Sequence, residues 1–414
     1  MQINHTRKSN CRLCNSSRLK SVLKLAATPP ANAFLNKEDL HKNQEEYPLE
    51  VFYCSNCHHL QLIDIVDPSI LFKDYVYVSG TSPVFVNHFE KYAQEVIYRF
   101  KPSKEFLVID IGSNDGTFLS CFKKNNYQVL GVDPAINISQ NASNNGIETI
   151  TDFFTTDLSY NIKNKYKKAS IISANNVFAH ADNLKDILNG VKDLLSPDGI
   201  FVFEVSYLVD VLEKNLFDTI YHEHLSYHSV EPLKNFFSEN GLDLFSAKRI
   251  DTHGGSLRGY VQLKGASNTK DGTVDNLIAY EQSIKLNEEK TYLRFNDNIK
   301  KLKFELLDLL QSIKSQNKTI AGFGAPAKAT TLMYQFGITS EYIDFIIDDS
   351  PLKQGLFSPG LKIPVLSSDA INIHKPDYLL ILAWNFSEPI INKNKEYINS
   401  GGKFIVPLPN LSII

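Results

Sequence analysis

The sequence predicts an α/β protein in three parts: a small cysteine-stapled module over residues 1–78, a parallel α/β unit over 79–262, and a helical connection into a second, shorter α/β unit over 263–414. Three observations carry that prediction. Four of the five cysteines fall in two CxxC pairs near the N-terminus. The runs FLVIDIG, YQVLGVD, ASIISANNVF and GIFVFEVS alternate with amphipathic stretches, the pattern of strands joined by helices in a parallel sheet. A second series, KTIAGFG, YIDFIIDDS, DYLLILAWN and KFIVPLP, repeats that pattern beyond the helix-prone FELLDLLQSI.

Bulk properties agree with several globular units and exclude other classes. A chain of 414 residues exceeds what one hydrophobic core usually supports. Its 43% hydrophobic and 21% charged residues are neither disordered nor fibrous in composition. The net charge of −3, without a long Lys/Arg run, argues against a nucleic-acid partner. No apolar run reaches the roughly 18 to 20 residues of a membrane span, so no membrane partner is expected. The polar start MQINHTRKSN lacks a signal-peptide core, and the cytoplasm is the expected location.

In a reducing compartment, Cys11, Cys14, Cys54 and Cys57 read as ligands of one zinc ion, each CxxC turn directing two thiolates to a tetrahedral centre. Four sulfurs saturate zinc and leave no position for water, so the expected role is structural. His58 and His59 adjoin the second pair and read as neighbours rather than ligands. Cys121 stands apart as a small buried hydrophobe.

In the first α/β unit, VIDIGSNDGTFL is an apolar strand that opens through Asp110, Gly112, Asn114 and Gly116 into a helix. Glycines there permit a tight turn and close backbone approach to a ligand, and the next strand ends in Asp133, which can accept ribose hydroxyls. The loop departs from the G-x-G-x-x-G dinucleotide form and resembles motif I of the class I methyltransferases, which share this Rossmann-like design. That resemblance implies S-adenosylmethionine as methyl donor, with Asp152 and Phe153 at the adenine. It also implies that the fourth-strand end Ala174 to Asn176, Asn175 included, lies beside the methionine portion.

Downstream lies Tyr221-His222-Glu223-His224-Leu225-Ser226-Tyr227-His228, a dense group of proton-transfer side chains in a protein with 11 histidines. It is not the HExxH of zinc proteases, and acid/base chemistry is the better reading. The ordered set formed by the two CxxC pairs, DYVYVSGTSP, DIGSNDG, YHEHLSYHS, HGGSLR and GFGAPAKATTL resembles the sugar C-methyltransferases that act on nucleotide-linked 4-keto deoxyhexoses. The resemblance implies that Tyr221, Glu223 and His224 line the sugar site and that His180 and Tyr75 surround the acceptor. A carbon beside a ketone needs a base to become nucleophilic, which suits neutral His224, and the resulting enolate needs hydrogen-bond donors.

In the C-terminal Rossmann-like unit, Gly322, Gly324, Lys328 and Asp348 are the candidates for a dTDP-, GDP- or CDP-linked sugar. His253, Ser256 and Arg258, on the glycine loop between the sheets, are candidates for contacting it from the other side. An O- or N-methyltransferase of another small molecule, or a non-catalytic nucleotide-sugar-binding homologue, remain the alternatives.

Overall fold

The computed structural model describes residues 4–72, 80 and 83–414, apart from the side chains of Phe72 and His253. The N-terminal module contains β1 (His5–Arg7), β2 (Leu19–Thr28), β3 (Tyr47–Cys54), β4 (Leu60–Leu62) and β5 (Asp64–Val66). β1 pairs with β5, and β2, β3 and β4 form an antiparallel meander.

The first α/β unit follows the helix Pro83–Phe100. Its strands are β6 (Leu107–Ile111), β7 (Val129–Val132), β8 (Thr149–Ile150), β9 (Ala169–Asn175) and β10 (Leu195–Ser206), with a short β11 (Ser226–Tyr227), then β12 (Leu242–Ile250) and β13 (Ser256–Leu263). The sheet order is β12-β13-β10-β9-β6-β7-β8, with β13 inserted antiparallel between β10 and β12. All five residues of β6 are buried, as expected for a central parallel strand covered on both faces. β6 and β9 run parallel, but the order in which successive strands are added reverses between them, and such a switch point opens a crevice at the strands' C-terminal ends.

β11 departs from the expected domain plan. It pairs antiparallel with β4, Ser226 opposite Gln61 and Tyr227 opposite Leu60, and completes the sheet β11-β4-β3-β2. The 78/79 boundary is therefore bridged by two residues from the middle of the next unit. They pair the otherwise open edge of β4.

The 27-residue helix Glu289–Ser315 links the two α/β units, burying Tyr292, Phe295, Ile299, Leu302, Leu306, Leu310 and Ile313 along one stripe. Beyond it come β14 (Ile320–Phe323), β15 (Ile346–Ile347), β16 (Val365–Leu366), β17 (Tyr378–Ile381), β18 (Lys403–Val406) and β19 (Ser412–Ile413). Their order, β16-β15-β14-β17-β18-β19, places a second switch point between β14 and β17. Among the described residues, no helix is long and apolar enough to cross a membrane.

Candidate functional site

At the β6/β9 switch point the chain leaves β6 through Gly112, whose φ of +69° favours glycine. A Cβ there would lie 2.2 Å from Val177 Cγ2, so the turn has no room for a side chain. Asn114 follows in the left-handed region, and Gly116 caps the helix Thr117–Lys123. Asp133, just past β7, braces this loop: its Oδ2 accepts from the Asn114 N–H at 2.9 Å and its Oδ1 from the Ala135 N–H at 2.9 Å. Burial raises its carboxyl, and these two N–H groups pull it back.

Asp110 is enclosed at the end of β6, accepting from Ser173 Oγ at 2.6 Å and Asn175 Nδ2 at 3.4 Å. Burial pushes its carboxyl up to about 7. Asn175 Oδ1 is buried without a partner among the described residues, an acceptor aligned with no protein donor. Asp152 and Phe153 follow β8, and Phe153 is 48% exposed. Glycine cradle, acidic brace, orphan acceptor and exposed ring together fit S-adenosylmethionine.

The acceptor candidates come together on two loops. His180 follows β9, and its ring centroid lies 4.9 Å from that of His224, whose own ring lies 4.1 Å from Tyr221. His224 Nδ1 donates to the Thr219 carbonyl at 2.7 Å. Because a carbonyl only accepts, Nδ1 carries a proton, and in the neutral ring the lone pair is then on Nε2. Burial, reinforced by His224, holds His180 neutral. Glu223 is buried, accepts from Asn32 Nδ2 of the N-terminal module at 2.9 Å, and is pushed up to about 7 by burial. The other two histidines of the cluster pack elsewhere. His222 Nε2 donates to the Tyr47 carbonyl at 3.2 Å, and His228 stacks between Phe178 and His59. Burial lowers both to about 4. Tyr75 lies outside the described residues.

The second switch point has the same architecture. β14 leaves through Gly324, φ +88°, where a Cβ would meet Ala383 Cβ at 2.4 Å. Gly322 lies within β14. Asp348 follows β15 and braces the loop as Asp133 does, accepting from the Ala325 N–H at 2.6 Å and the Ser350 N–H at 2.8 Å. Lys328, expected as a point charge for phosphate, has its Nζ 4.0 Å from the centroid of the Trp384 ring. Trp384 Nε1 donates to Asp218 Oδ2 at 2.6 Å, and Asp218 Oδ1 is buried without a partner among the described residues. Burial lowers Lys328 to about 8, against the pull of Asp218. Asp218 and Trp384 escaped the sequence reading, although Trp384 directly follows the strand run DYLLILA.

Two expectations require correction. Ser256 is fully buried at the start of β13, its Oγ donating to the Thr252 carbonyl at 3.1 Å. Arg258 is 2% exposed, pairs with Glu204 through Nε at 3.0 Å and Nη2 at 2.7 Å, reaches Glu95 at 3.1 Å, and lies 3.3 Å from the centroid of the Tyr92 ring. Its charge is neutralised inside the first α/β unit, where it ties the helix Pro83–Phe100 to the sheet. Both side chains spend these hydrogen bonds inside the protein rather than on an exposed face. The His253 side chain lies outside the described residues.

In the N-terminal module the Sγ atoms of Cys11, Cys14, Cys54 and Cys57 all lie within 4.8 Å of one another. Cys11–Cys57 and Cys14–Cys54 are each 3.6 Å apart, close to the ~3.8 Å edge of a tetrahedron with zinc–sulfur bonds of about 2.3 Å. His58 Nδ1 bonds the Tyr53 hydroxyl and His59 Nε2 lies 3.3 Å from Ser226 Oγ, so both rings serve the protein framework.

Comparison with known proteins gives three family matches in chain order: a zinc binding domain over residues 11–72, a methyltransferase domain over 86–247, and a C-methyltransferase C-terminal domain over 251–409. The C-methyltransferase NovU of Streptomyces niveus is 35% identical over 404 residues, covering 98% of this chain and 96% of that protein. Among solved structures, an S-adenosylmethionine-dependent methyltransferase from Clostridium acetobutylicum ATCC 824 is 10% identical at a TM-score of 0.35, covering 44% of this chain and 92% of that one. The magnesium protoporphyrin IX methyltransferase of Synechocystis PCC 6803 is 12% identical at a TM-score of 0.33, covering 46% and 86%. These two likenesses are too weak to add to the first. The brace and cradle at β6, the four-sulfur cluster and the full-length relative agree: the chain belongs to the C-methyltransferase family, using S-adenosylmethionine as cofactor and zinc as a structural metal.

Proposed function

We propose that the chain methylates a ring carbon adjacent to the ketone of a nucleotide-linked 4-keto deoxyhexose. The observation that carries this reading is the tethering of His224: Nδ1–H is held by the Thr219 carbonyl at 2.7 Å, so in the neutral ring the lone pair a general base needs is on Nε2. His224 Nε2 takes the α-proton, and the C–H electron pair becomes the enolate double bond as negative charge passes to the carbonyl oxygen. Tyr221, His180 in its neutral form and Tyr75 are the candidate donors to that oxygen. Bound S-adenosylmethionine would supply the electrophilic methyl group to the enolate carbon, its sulfur keeping the electron pair of the carbon–sulfur bond. Asp110, Gly112, Asn114, Gly116, Asp133, Asp152, Phe153 and Asn175 are the residues that would hold it.

Glu223, close to half-protonated near neutrality, has the capacity to accept from or donate to a sugar substituent. The crevice at Gly322, Gly324, Lys328 and Asp348, with Asp218 and Trp384, is the proposed seat of the nucleotide, whether dTDP, GDP or CDP. Incubation with S-adenosylmethionine and a panel of such 4-keto sugars should yield a product heavier by one methyl group. Failure across the panel removes the sugar substrate. A methyl found on oxygen or nitrogen instead favours the alternative transferase.

A further inference from the structure

Arg12 lies between two zinc ligands, yet its guanidinium serves the acceptor loops. Its side chain is 0% exposed. Nε donates to Asp182 Oδ1 at 3.0 Å, two residues beyond His180. Nη1 donates to the carbonyl of Leu225, the residue after His224, at 3.2 Å. The same nitrogen reaches Gln61 Oε1 at 3.1 Å and the Leu62 carbonyl, both on β4. Around this fork the backbones interlock: the Leu225 and Ser226 N–H groups donate to the Ala179 carbonyl at 2.9 and 3.1 Å, and the Leu62 N–H returns to the Leu225 carbonyl at 3.0 Å. One planar group thus spans the zinc module, the His180 loop and the His224 loop.

Nη2 is buried without a partner among the described residues, while Nε and Nη1 are matched on three segments, and a rigid planar fork held at those two nitrogens fixes the segments' relative placement. The 4.9 Å separation of the His180 and His224 rings is a distance between the two loops that Arg12 joins. Proton transfer and oxyanion stabilisation tolerate only about half an ångström of misplacement. We propose that Arg12 is a positioning residue for the reaction: it carries the rigidity of the cysteine cluster into the spacing of His180 and His224, without touching substrate. This rests on the proposed assignment of those histidines to the sugar site.

The test uses the full-length, zinc-loaded chain in two variants. Arg12→Lys keeps the charge but offers a point donor in place of a fork. Asp182→Asn removes the charge at the far end, which pairs with Arg12 Nε and also with Lys8 Nζ at 2.9 Å, and leaves all four cysteines in place. In both, kcat for methyl transfer should fall about ten-fold or more, with the KM for S-adenosylmethionine within about two-fold of wild type and one zinc per chain. The ring signals of His180 and His224 in histidine-labelled protein without substrate should shift, while that of the distant His374 stays in place. Wild-type kcat, or unmoved His180 and His224 signals, in either folded variant overturns the proposal. If Arg12→Lys does not fold, Asp182→Asn decides alone. If the wild type methylates no sugar in the panel, the proposed function fails, and the ring signals still judge Arg12.

Discussion

Replacing Asp133 by asparagine removes a charge from the donor loop with little change of volume. In the wild type each carboxylate oxygen accepts one backbone N–H, from Asn114 and from Ala135, both at 2.9 Å, and keeps a lone pair for a ribose hydroxyl. Asparagine has a single acceptor oxygen, so its amide N–H₂ would face one of those N–H groups donor to donor. Loss of a charge-assisted hydrogen bond costs about 1.5 to 3 kcal/mol, and each ~1.4 kcal/mol is a factor of ten, so the Kd for S-adenosylmethionine should rise about 10- to 150-fold. Stability should fall less, because burial disfavours the native carboxylate and the neutral amide relieves that penalty. Titration calorimetry on the zinc-loaded chain reads the affinity, with metal content as the control. A Kd within two-fold of wild type in a folded variant would show that Asp133 braces the loop without touching the cofactor.

His224→Asn should keep zinc and cofactor binding yet lose about 10²- to 10⁴-fold in turnover, the range of general-base catalysis, and should stop exchange of the sugar α-proton with deuterated water. Undiminished exchange would move the base elsewhere. Cys54→Ser should abolish stoichiometric zinc and disorder the first 70 or so residues, as three sulfurs leave the tetrahedron incomplete; elemental analysis giving one zinc per chain would contradict this. Glu223 has its carboxyl raised from 4.5 to about 7, so as pH rises the unfolded chain loses that proton first and wild-type stability falls between those values. Glu223→Gln should therefore be the more stable protein at pH 8, by on the order of 3 kcal/mol, and the less pH-dependent; coincident urea midpoints at pH 8 would refute the shift.

How much of this was legible depended on how local each signal was. The strand runs FLVIDIG and YQVLGVD stand out because central parallel strands bury both faces, and the loop after β6 announces itself by glycines that must turn where no side chain fits. The cysteine cluster is legible because each half is a four-residue CxxC turn. Other features depend on residues far apart in the chain. Asp218 meets Trp384 across 166 positions, Asn32 meets Glu223 across 191, and Arg12 meets Leu225 across 213. No period or spacing marks such partners. Arg258 misled for the related reason that an arginine near a glycine loop looks like a phosphate ligand until a buried Glu204 is found opposite it on β10.

Trp384 is the sole tryptophan among 414 residues. It stands just past β17, where the strand order of the C-terminal sheet reverses, with a lysine over its face and a carboxylate from another part of the chain on its indole nitrogen. Light absorbed at the red edge of the protein band, where the 19 tyrosines are transparent, therefore excites that crevice and nothing else. The molecule carries a built-in optical probe there: any group that displaces the lysine, or competes for the carboxylate, alters the emission of one ring against a dark background.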